Sequence, residues 1–322
     1  MRGALRRRST AAGILPWAPR ASYALALPGG RTLTLGVRTL VMGIVNVTPD
    51  SFADGGVCLD PGRAAERALA LEAAGADLLD IGGESTRPGA DPVAAQEEMR
   101  RILPVLDRLA GPASVPISVD TYKATVAQAA LDHGAALIND ISGLASGPAI
   151  AAVAADAGAA LVLMHNRGVP RDMYRHARYH DVGAEVAAEL RAIVDRAVAA
   201  GLSREQIVVD PGLGFAKRAD ATITALADLP SLRSLDRPIL VGPSRKSYLT
   251  AALGERRPGE REWGTAAAVA ASVWLGAHIV RVHRVDAHVD VVRVADAIRA
   301  AACEAGADGA ESSVPHLIGK RS

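Results

Sequence analysis

The sequence predicts an α/β fold of the (β/α)8 barrel type, in which eight parallel strands form a ring that helices surround. Short apolar runs and alanine-rich segments with helical spacing alternate about eight times, and almost every apolar run ends in a polar, ionisable or glycine residue. This alternation is typical of parallel α/β folds, and about 250 residues is the usual length of a barrel. Active sites of this fold lie at the carboxyl ends of the strands, so side chains distant in sequence are expected around one pocket.

The apolar runs have the length of buried strands. The predicted strands are residues 40–47, 77–81, 116–119, 136–138, 160–164, 207–209, 238–241 and 278–282. None of these runs approaches the length that a bilayer span needs, so no membrane association is expected.

The segments between the strands are predicted to be helices. Several begin with proline at an early position or after Asp or Ser, and several end at glycine, as helix starts and ends do. The predicted helices are residues 61–74, 92–109, 124–133, 148–157, 182–200, 221–233, 259–275 and 286–305.

The domain organisation is predicted to be a single barrel with short extensions. The barrel covers residues 24–305 and begins with a hairpin over residues 24–38, whose turn is Pro28-Gly29-Gly30 and which could cover the bottom of the barrel. Residues 1–23 form a basic, flexible tail and residues 306–322 a second flexible tail. The arginines of the first tail also fit a transit peptide or a twin-arginine signal, although no long apolar segment follows them.

Composition excludes several classes of function. The 322 residues carry a net charge of +1, with 22% charged and only 3% aromatic residues. Nucleic-acid surfaces are usually basic and single-strand stacking needs aromatics, so no nucleic-acid partner is expected. The two cysteines, Cys58 and Cys303, cannot form a disulfide framework, which indicates a reducing compartment and makes the cytoplasm the expected location.

Three loops that follow predicted strands have unusual sequences. Residues 46–56 contain turn residues and paired glycines, which suit a mobile active-site flap or an ordinary turn. Residues 82–89 contain paired glycines that allow close approach to a ligand, followed by the hydroxyl of Thr86 and the cation of Arg87. Residues 166–181 have no clear period and are either a lid or substrate rim, or a solvated insertion.

Polar side chains end three of the predicted strands, at Asp120, Asn139 and Asp210. Carboxylates accept hydrogen bonds, whereas an amide both donates and accepts. A flat heterocycle with an amino-pyrimidinone edge needs this mixture, because a carboxylate can accept parallel bonds from its 2-amino and ring N–H groups. The alternative for each residue singly is a helix N-cap, above all for Asp120 before Thr121.

Cations accompany the last two predicted strands. Arg245 and Lys246 follow the seventh strand together with Ser244, and Arg281 and His283 belong to the end of the eighth. Barrels often bind phosphate after strands seven and eight, so these side chains suit a phosphorylated substrate or leaving group. The alternative is a surface salt-bridge patch. The sequence contains no cluster with zinc spacing, no cysteine-nucleophile signature, no Walker loop and no dinucleotide fingerprint.

Eight segments carry a family resemblance. They are MGIVNVTPDSFADGG (42–56), DIGGESTRPGA (80–90), SVDTYKATVAQAAL (118–131), INDISG (138–143), LMH (163–165), VVDPGLGFAK (208–217), VGPSRKSYL (241–249) and RVH (281–283). Together they resemble the dihydropteroate synthases, the pterin-binding barrel enzymes of folate synthesis that sulfonamides target. The resemblance extends over about residues 38 to 300 and marks almost every strand end.

The resemblance implies a transferase. 6-Hydroxymethyl-7,8-dihydropterin diphosphate would lose pyrophosphate, and the amine of 4-aminobenzoate would take its place to give 7,8-dihydropteroate. Pyrophosphate is a good leaving group once Mg²⁺ and cations share its charge, so a dissociative substitution is expected. Departure leaves a cation in the electron-rich ring, which a weak aryl amine can attack without a strong base, and no general base is assigned.

The resemblance also implies residues for the pterin half of the site. The ring would be held or lined by Asp120, Asn139, Met164, Asp210, Phe215 and Lys246. Catalytic roles would fall to Asp120 and Asp210, which stabilise developing positive charge, to Lys246, and to Asp54 on the first loop, which helps to close the site.

The remaining implied roles concern the diphosphate, the metal and 4-aminobenzoate. Arg281 would stack on the ring and bind the diphosphate with His283 and Asn46, and Asn46 would also ligate Mg²⁺. The 4-aminobenzoate site would be shaped by Phe52, Thr86, Arg87, Pro88 and Ser244.

Two rival functions and one partner complete the expectations. A corrinoid-type pterin methyltransferase shares this barrel but should lack the TPDSF and STRPG segments, which this chain has. A non-catalytic pterin-binding paralogue would keep the scaffold. The resemblance further implies a homodimer. Residues 264–275, with Trp263 and Trp274 nearby, suit close packing between copies, although a buried barrel helix would have the same composition.

Overall fold

A two-stranded hairpin precedes a ring of parallel strands in the computed structural model, which describes residues 19–48, 60–85, 90–168 and 173–311. The antiparallel strands β1 (Tyr23–Leu27) and β2 (Arg31–Leu35) form the predicted hairpin, and Pro28–Gly30 makes its turn. The parallel strands are β3 (Leu40–Asn46), β4 (Leu78–Gly82), β5 (Ile117–Asp120), β6 (Leu137–Asp140), β7 (Ala160–Met164), β8 (Ile207–Asp210), β9 (Leu240–Val241) and β10 (Ile279–Val282).

The parallel strands close into a ring. Their order is β8-β7-β6-β5-β4-β3-β10-β9, and every neighbouring pair is parallel. The two ends of this series meet where Val209 bridges Ile239 and the Val209 N–H donates to the Pro238 carbonyl over 3.0 Å. The predicted (β/α)8 barrel is therefore confirmed.

The helices lie where the sequence predicts them, with bounds that differ by a few residues. In the described part of the chain they are α1 (Pro61–Ala73), α2 (Ala95–Leu109), α3 (Ala124–Asp132), α4 (Ala149–Asp156), α5 (Val182–Ala199), α6 (Ala219–Ala227), α7 (Thr250–Leu253), α8 (Glu262–Trp274) and α9 (Val285–Glu311). None of them combines the length and the apolar character that crossing a bilayer requires.

One predicted helix is wrong as a continuous element. The helix expected over residues 221–233 consists of α6 and a separate 3-10 segment, Leu229–Leu235. Pro230 explains the break, because proline has no N–H to donate and disfavours the α conformation of the residue before it. The short α7 is an additional helix that the sequence analysis did not place.

Two apolar clusters hold the barrel together. The larger one fills the space between strands and helices, with fully buried residues such as Leu79, Ile102 and Val241. The second cluster fills the barrel at the amino ends of the strands, where Leu25 and Leu35 of the hairpin pack on the strand residues. The hairpin therefore covers the bottom of the barrel, as expected, and leaves the carboxyl ends of the strands as the open face.

Arg20 attaches the segment before β1 to the same bottom face. Its guanidinium donates to the Ala277 carbonyl over 2.8 Å and to Asp296 over 2.5 Å, and it also bonds Thr39. Ordered chain is therefore present at Arg20, within the range 1–23 that the sequence analysis assigns to a tail. At the other end α9 continues to Glu311, beyond the predicted domain boundary at residue 305.

Candidate active site

A cleft opens at the carboxyl ends of the strands. It contains about 470 Å³ of empty space, part of it open to solvent. Its lining residues are Ile44, Asp120, Asn139, Ile141, Met164, Asp210, Leu213, Phe215, Gly242, Ser244, Lys246, Arg281 and His283. All described residues that the resemblance assigns to substrate binding belong to this set, except Asn46 at the end of β3. The structure thus brings together side chains that are up to 239 residues apart in sequence, from Ile44 to His283.

Arg281 bridges two carboxylates inside the cleft. Its Nε donates to Asp80 Oδ2 over 2.5 Å, and its Nη2 donates to Asp120 Oδ2 over 2.8 Å. The amide nitrogen of Asn139 donates to the same Asp80 oxygen over 3.2 Å. The guanidinium is thereby fixed against one wall of the cleft by charge-assisted bonds, which are stronger than neutral ones.

Strand register explains why Asp120 and Asn139 lie side by side at this edge of the barrel. Asn46 pairs with Gly82, Gly82 with Asp120, and Asp120 with Asn139 across neighbouring parallel strands. Residues paired in this way share a face of the sheet. Gly82 leaves the row open, since a Cβ there would lie 3.5 Å from the Cβ of Asp120 and 3.9 Å from Asn46 Oδ1.

The opposite wall is built by the turn that follows β8. The carboxylate of Asp210 accepts the Gly212 N–H over 2.7 Å, which orients the acid at the start of the turn. Phe215 lines the cleft further along, and Lys246 Nζ lies 4.0 Å from the centre of its ring. This cation–π contact places a positive charge between the two carboxylate walls.

Burial shifts the protonation of the cleft side chains. It raises the pKa of Asp120 to about 7, although the Arg281 charge works against the rise. Burial likewise raises the pKa of Asp210 to about 6, and the Gly212 N–H and the Lys246 charge oppose this. The pKa of Lys246 is lowered to about 8, first by burial and then by Arg281. A ligand with complementary charge would restore the ionised forms.

Ser244 and His283 form a pair at the ends of β9 and β10. Ser244 Oγ lies 2.9 Å from His283 Nδ1, and both side chains line the cleft. Arg245 between Ser244 and Lys246 turns away instead, and its Nε donates to Glu262 of α8 over 3.1 Å. Of the basic side chains at this edge, Lys246, Arg281 and His283 therefore face the cleft.

The sequence analysis left two alternatives open, a helix N-cap at Asp120 and a surface salt-bridge patch that includes Arg281, and the structure agrees with neither. Asp120 does not cap a helix, because α3 begins at Ala124 with Lys123 at its N-cap position. Arg281 is not part of a surface salt-bridge patch, since its side chain is 18% exposed and its carboxylate partners are buried.

The second loop is anchored at its first residues. Lys123 forms ion pairs with Glu84 and, over 2.5 Å, with Glu98, and Tyr122 Oη donates to Glu84 over 2.9 Å. Glu98 is almost fully buried, and burial raises its pKa. The predicted site residues Phe52, Asp54, Thr86, Arg87 and Pro88 lie outside the described residues.

The long loop over residues 166–181 packs on the cleft wall. Met173 is buried in a cluster with Ile141, Met164 and Phe215, all of which line the cleft. The described part of this loop is therefore packed against the cleft wall at Met173, and its role as a substrate rim stays a prediction.

Several residues of this site were not assigned from the sequence. Asp80 is fully buried and pairs with Arg281, and the one available signal was a lone acid inside an apolar strand. Lys217 is buried behind the β8 turn against His165. Its motif had been noted, but a lysine at the end of a loop gives no sign that it points inward.

The donor set for a metal is limited. Within residues 19–311, apart from the gaps at 49–59, 86–89 and 169–172, no group of three or more His, Cys, Asp or Glu side chains is arranged to hold a metal ion. Asn46 ends β3 and offers a neutral amide oxygen. Mg²⁺ usually keeps several waters and binds few protein oxygens together with substrate phosphates. Asn46 therefore fits a Mg²⁺ ion that arrives with a diphosphate.

Comparison with known proteins agrees with this geometry. The family described as "Pterin binding enzyme" matches residues 42–283. The dihydropteroate synthase of Synechocystis sp. is 47% identical over 273 residues, which are 84% of this chain and 94% of that protein. The dihydropteroate synthase of Bacillus subtilis is 42% identical over 261 residues, which are 81% of this chain and 89% of that protein.

Solved structures give the same result. The dihydropteroate synthase of Xanthomonas albilineans with 4-aminobenzoic acid is 43% identical and superposes with a TM-score of 0.79. The aligned region covers 86% of this chain and 99% of that chain. The Burkholderia cenocepacia dihydropteroate synthase complexed with 7,8-dihydropteroate is 42% identical and superposes with a TM-score of 0.77. The aligned region covers 88% of this chain and 99% of that chain.

Proposed function

This chain belongs to the pterin-binding enzyme family, among the dihydropteroate synthases, and we propose that its cleft binds both substrates of that reaction. The chain is a transferase of folate synthesis, which joins a dihydropterin diphosphate to 4-aminobenzoate. The observation that carries the residue assignment is the convergence of Asp120, Asn139, Asp210 and Lys246 on one cleft.

The pterin ring binds between the two carboxylate walls. Asp210 and Asp120 accept from the amino and ring N–H groups, and the Asn139 amide both donates and accepts. Met164 and Phe215 supply apolar contact to the ring faces. Lys246 donates to ring acceptor atoms, and ligand binding restores its charge because the carboxylates nearby are then ionised.

The diphosphate lies toward Arg281 and His283. A guanidinium can donate two parallel hydrogen bonds to phosphate oxygens. The His283 ring is oriented by Ser244. Asn46 would hold Mg²⁺, which would supply positive charge to the diphosphate and so make it a better leaving group. The cation that remains in the ring is stabilised by the buried carboxylates of Asp120 and Asp210.

The amine substrate enters beside Ser244. By family resemblance Phe52, Thr86, Arg87 and Pro88 shape its site, and Asp54 helps to close the first loop over it. The amine nitrogen bonds to the methylene carbon from which pyrophosphate departs, and the arylammonium that results is acidic enough to release its proton without a strong base. The reaction therefore needs positioning and exclusion of water. The anchoring of Glu84 by Lys123 and Tyr122 supports this role, since it holds the start of the second loop at the cleft.

Assembly and location are also proposals. A homodimer through α8 and α9 is supported by their exposed apolar residues, Trp263, Val294 and Ile298. Sedimentation equilibrium at the mass of two chains would support it, and a monomer at micromolar concentration would contradict it. The cytoplasmic location rests on the two cysteines alone.

The experiment that tests the site assignment measures both products. Purified full-length chain is incubated with the pterin diphosphate, 4-aminobenzoate and Mg²⁺, and dihydropteroate and pyrophosphate are quantified. Asp210→Asn and Lys246→Ala are each expected to lower turnover by roughly a hundredfold, on the order of 3 kcal/mol. Asp195→Asn on the outer surface of α5 is the control that should keep wild-type turnover. Near-wild-type turnover in both cleft variants would refute their roles.

A further inference from the structure

Lys217 is a fully buried lysine that does not line the cleft. It is 1% exposed and the largest fully buried side chain among the described residues. Its Nζ donates to the carbonyls of Gly212 and Phe215 over 3.1 Å each and lies 2.7 Å from His165 Nδ1. Each of its three N–H bonds thus has an acceptor, which a buried ammonium requires. Burial lowers the pKa of Lys217 to about 7.

The turn that Lys217 holds, residues 212–216, contains backbone conformations that are unfavourable in free energy. Gly212, Gly214 and Ala216 have φ of 66°, 79° and 48°. A left-handed conformation costs about 1–2 kcal/mol for a residue with a Cβ, such as Ala216. At Gly212 a Cβ would lie 2.0 Å from the His165 carbonyl, so the turn is also pressed against β7. Such a conformation persists only where its surroundings hold it.

Two further carbonyls of the turn are bonded by the loop over residues 166–181. Tyr179 Oη donates to Ala216 over 3.1 Å, and Tyr174 Oη donates to Gly214 over 3.4 Å. Together with the Lys217 bonds, this ties the carbonyls of residues 212, 214, 215 and 216. The turn is therefore held from inside by Lys217 and from outside by two tyrosines.

His165 fixes the ammonium in place. Because Lys217 donates to Nδ1, the Nε2 nitrogen of His165 carries the proton and donates to Glu189 over 3.0 Å. Arg167 donates to the same carboxylate over 3.0 Å, and its guanidinium lies 4.0 Å from the centre of the Tyr179 ring. The chain of contacts thus runs from the turn to the loop that covers the cleft wall.

We propose that Lys217 is a positioning residue for the pterin half of the cleft, because it keeps the turn over residues 212–216 in the conformation that places Asp210 and Phe215 against the ring. This inference rests on the proposed function. The turn residues that line the cleft, Leu213 and Phe215, belong to the proposed pterin wall, so we expect a looser turn to weaken pterin binding and to leave the 4-aminobenzoate half unchanged.

Lys217→Met tests the proposal. Methionine keeps the length and burial of the side chain but leaves the carbonyls of Gly212 and Phe215 without this donor. The KM and the calorimetric Kd for the pterin diphosphate are expected to rise about tenfold or more, as for the loss of buried hydrogen bonds. The KM for 4-aminobenzoate, at saturating pterin, should stay within about twofold, which is below the effect of one lost hydrogen bond.

A milder pair of variants covers the case in which Lys217→Met does not fold. Tyr179→Phe removes only the hydroxyl bond to Ala216 and is expected to raise the pterin Kd about threefold, the low end for one hydrogen bond. Tyr23→Phe is the matched control, since it removes an exposed hydroxyl bond to Asp236 at the bottom of the barrel. Its pterin Kd should equal that of the wild type.

The outcomes separate this inference from the proposed function. A folded Lys217→Met variant with wild-type pterin Kd would overturn the inference, as would equal rises in both KM values. A wild-type chain that binds the pterin diphosphate but releases no pyrophosphate would overturn the proposed function, while the Kd comparison would still decide the role of Lys217.

Discussion

Asp80 accepts a hydrogen bond from Arg281 over 2.5 Å, although Asp80 is fully buried in the middle of β4 and Arg281 belongs to β10. The same guanidinium also donates to Asp120. Asp80 thus shares the positive charge that Asp120 would otherwise hold alone, and Asp120 keeps part of its capacity to accept bonds from a ligand.

Asp80→Asn should weaken pterin binding without removing a group that touches the ring. Without the Asp80 charge, Arg281 pairs with Asp120 more strongly and competes with the ligand for it. We expect the Kd for the pterin diphosphate to rise about tenfold, or about 1.4 kcal/mol, in isothermal titration. Asp77→Asn, directly before the same strand, is the control. An Asp80→Asn Kd equal to that of this control would contradict the prediction.

Pterin affinity should depend on pH in a defined direction. The raised pKa values of Asp120, about 7, and Asp210, about 6, leave part of the empty protein protonated at mildly acidic pH. Because the ring binds the ionised carboxylates, affinity should increase from below pH 6 to above pH 7. Above pH 8 it should decline as Lys246 loses its proton. Titrations across this range measure it, and Asp120→Asn should lose the upper part of the rise.

The raised pKa values of Asp120 and Asp210 also determine how the free energy of unfolding changes with pH. Both carboxyls have an ordinary pKa of 3.8, below their folded values. Their contribution to the stability of the empty protein is therefore fully present below pH 3.8 and is lost as pH rises through 6 and 7. Asp120→Asn should flatten this part of the curve of unfolding free energy against pH. A wild-type protein that gains stability there relative to the variant would contradict the assignment.

Leu35→Ala should destabilise the fold and spare the chemistry. Leu35 is fully buried in the cluster at the bottom of the barrel, so its truncation should cost about 2–5 kcal/mol in urea unfolding. The kcat of the folded fraction should not change, because the cleft lies at the opposite end of the strands. Val37→Ala, at an 80% exposed position beside the hairpin, should leave stability unchanged. A Leu35→Ala variant with normal stability but lowered kcat would contradict the separation.

Thr86→Ala should act mainly on the second substrate. The family resemblance assigns Thr86 to the 4-aminobenzoate site, so the KM for that substrate should rise about tenfold, the effect of one or two lost hydrogen bonds, while kcat stays close to wild type. Steady-state kinetics at saturating pterin diphosphate measures both. An unchanged KM with a lowered kcat would count against the assignment.

The barrel and most of the cleft were predictable because strand ends carry their chemistry in sequence order. Asp120, Asn139 and Asp210 each follow an apolar run, and a barrel places such ends on one ring. Asp80 was not predictable in this way. It lies inside its strand, and only the tilt and closure of the barrel bring it within reach of Arg281.

Side-chain direction was the other limit. Lys217 ends a glycine-containing segment whose sequence does not indicate the direction of the side chain, and in the structure this side chain turns inward to bond His165. The helix break at Pro230 is a second error of the sequence prediction. The predicted helix over residues 221–233 continues through this proline, whereas a separate 3-10 segment contains it in the structure. Roles on the first two loops stay predictions.

The ion pair between Arg20 and Asp296 lies beneath the ring of strands, opposite the substrate entrance. Arg20 is therefore held on the face opposite the cleft. A fluorophore or a surface tether attached on this face would leave access to the cleft unobstructed, so immobilised protein should turn over as fast as protein in free solution.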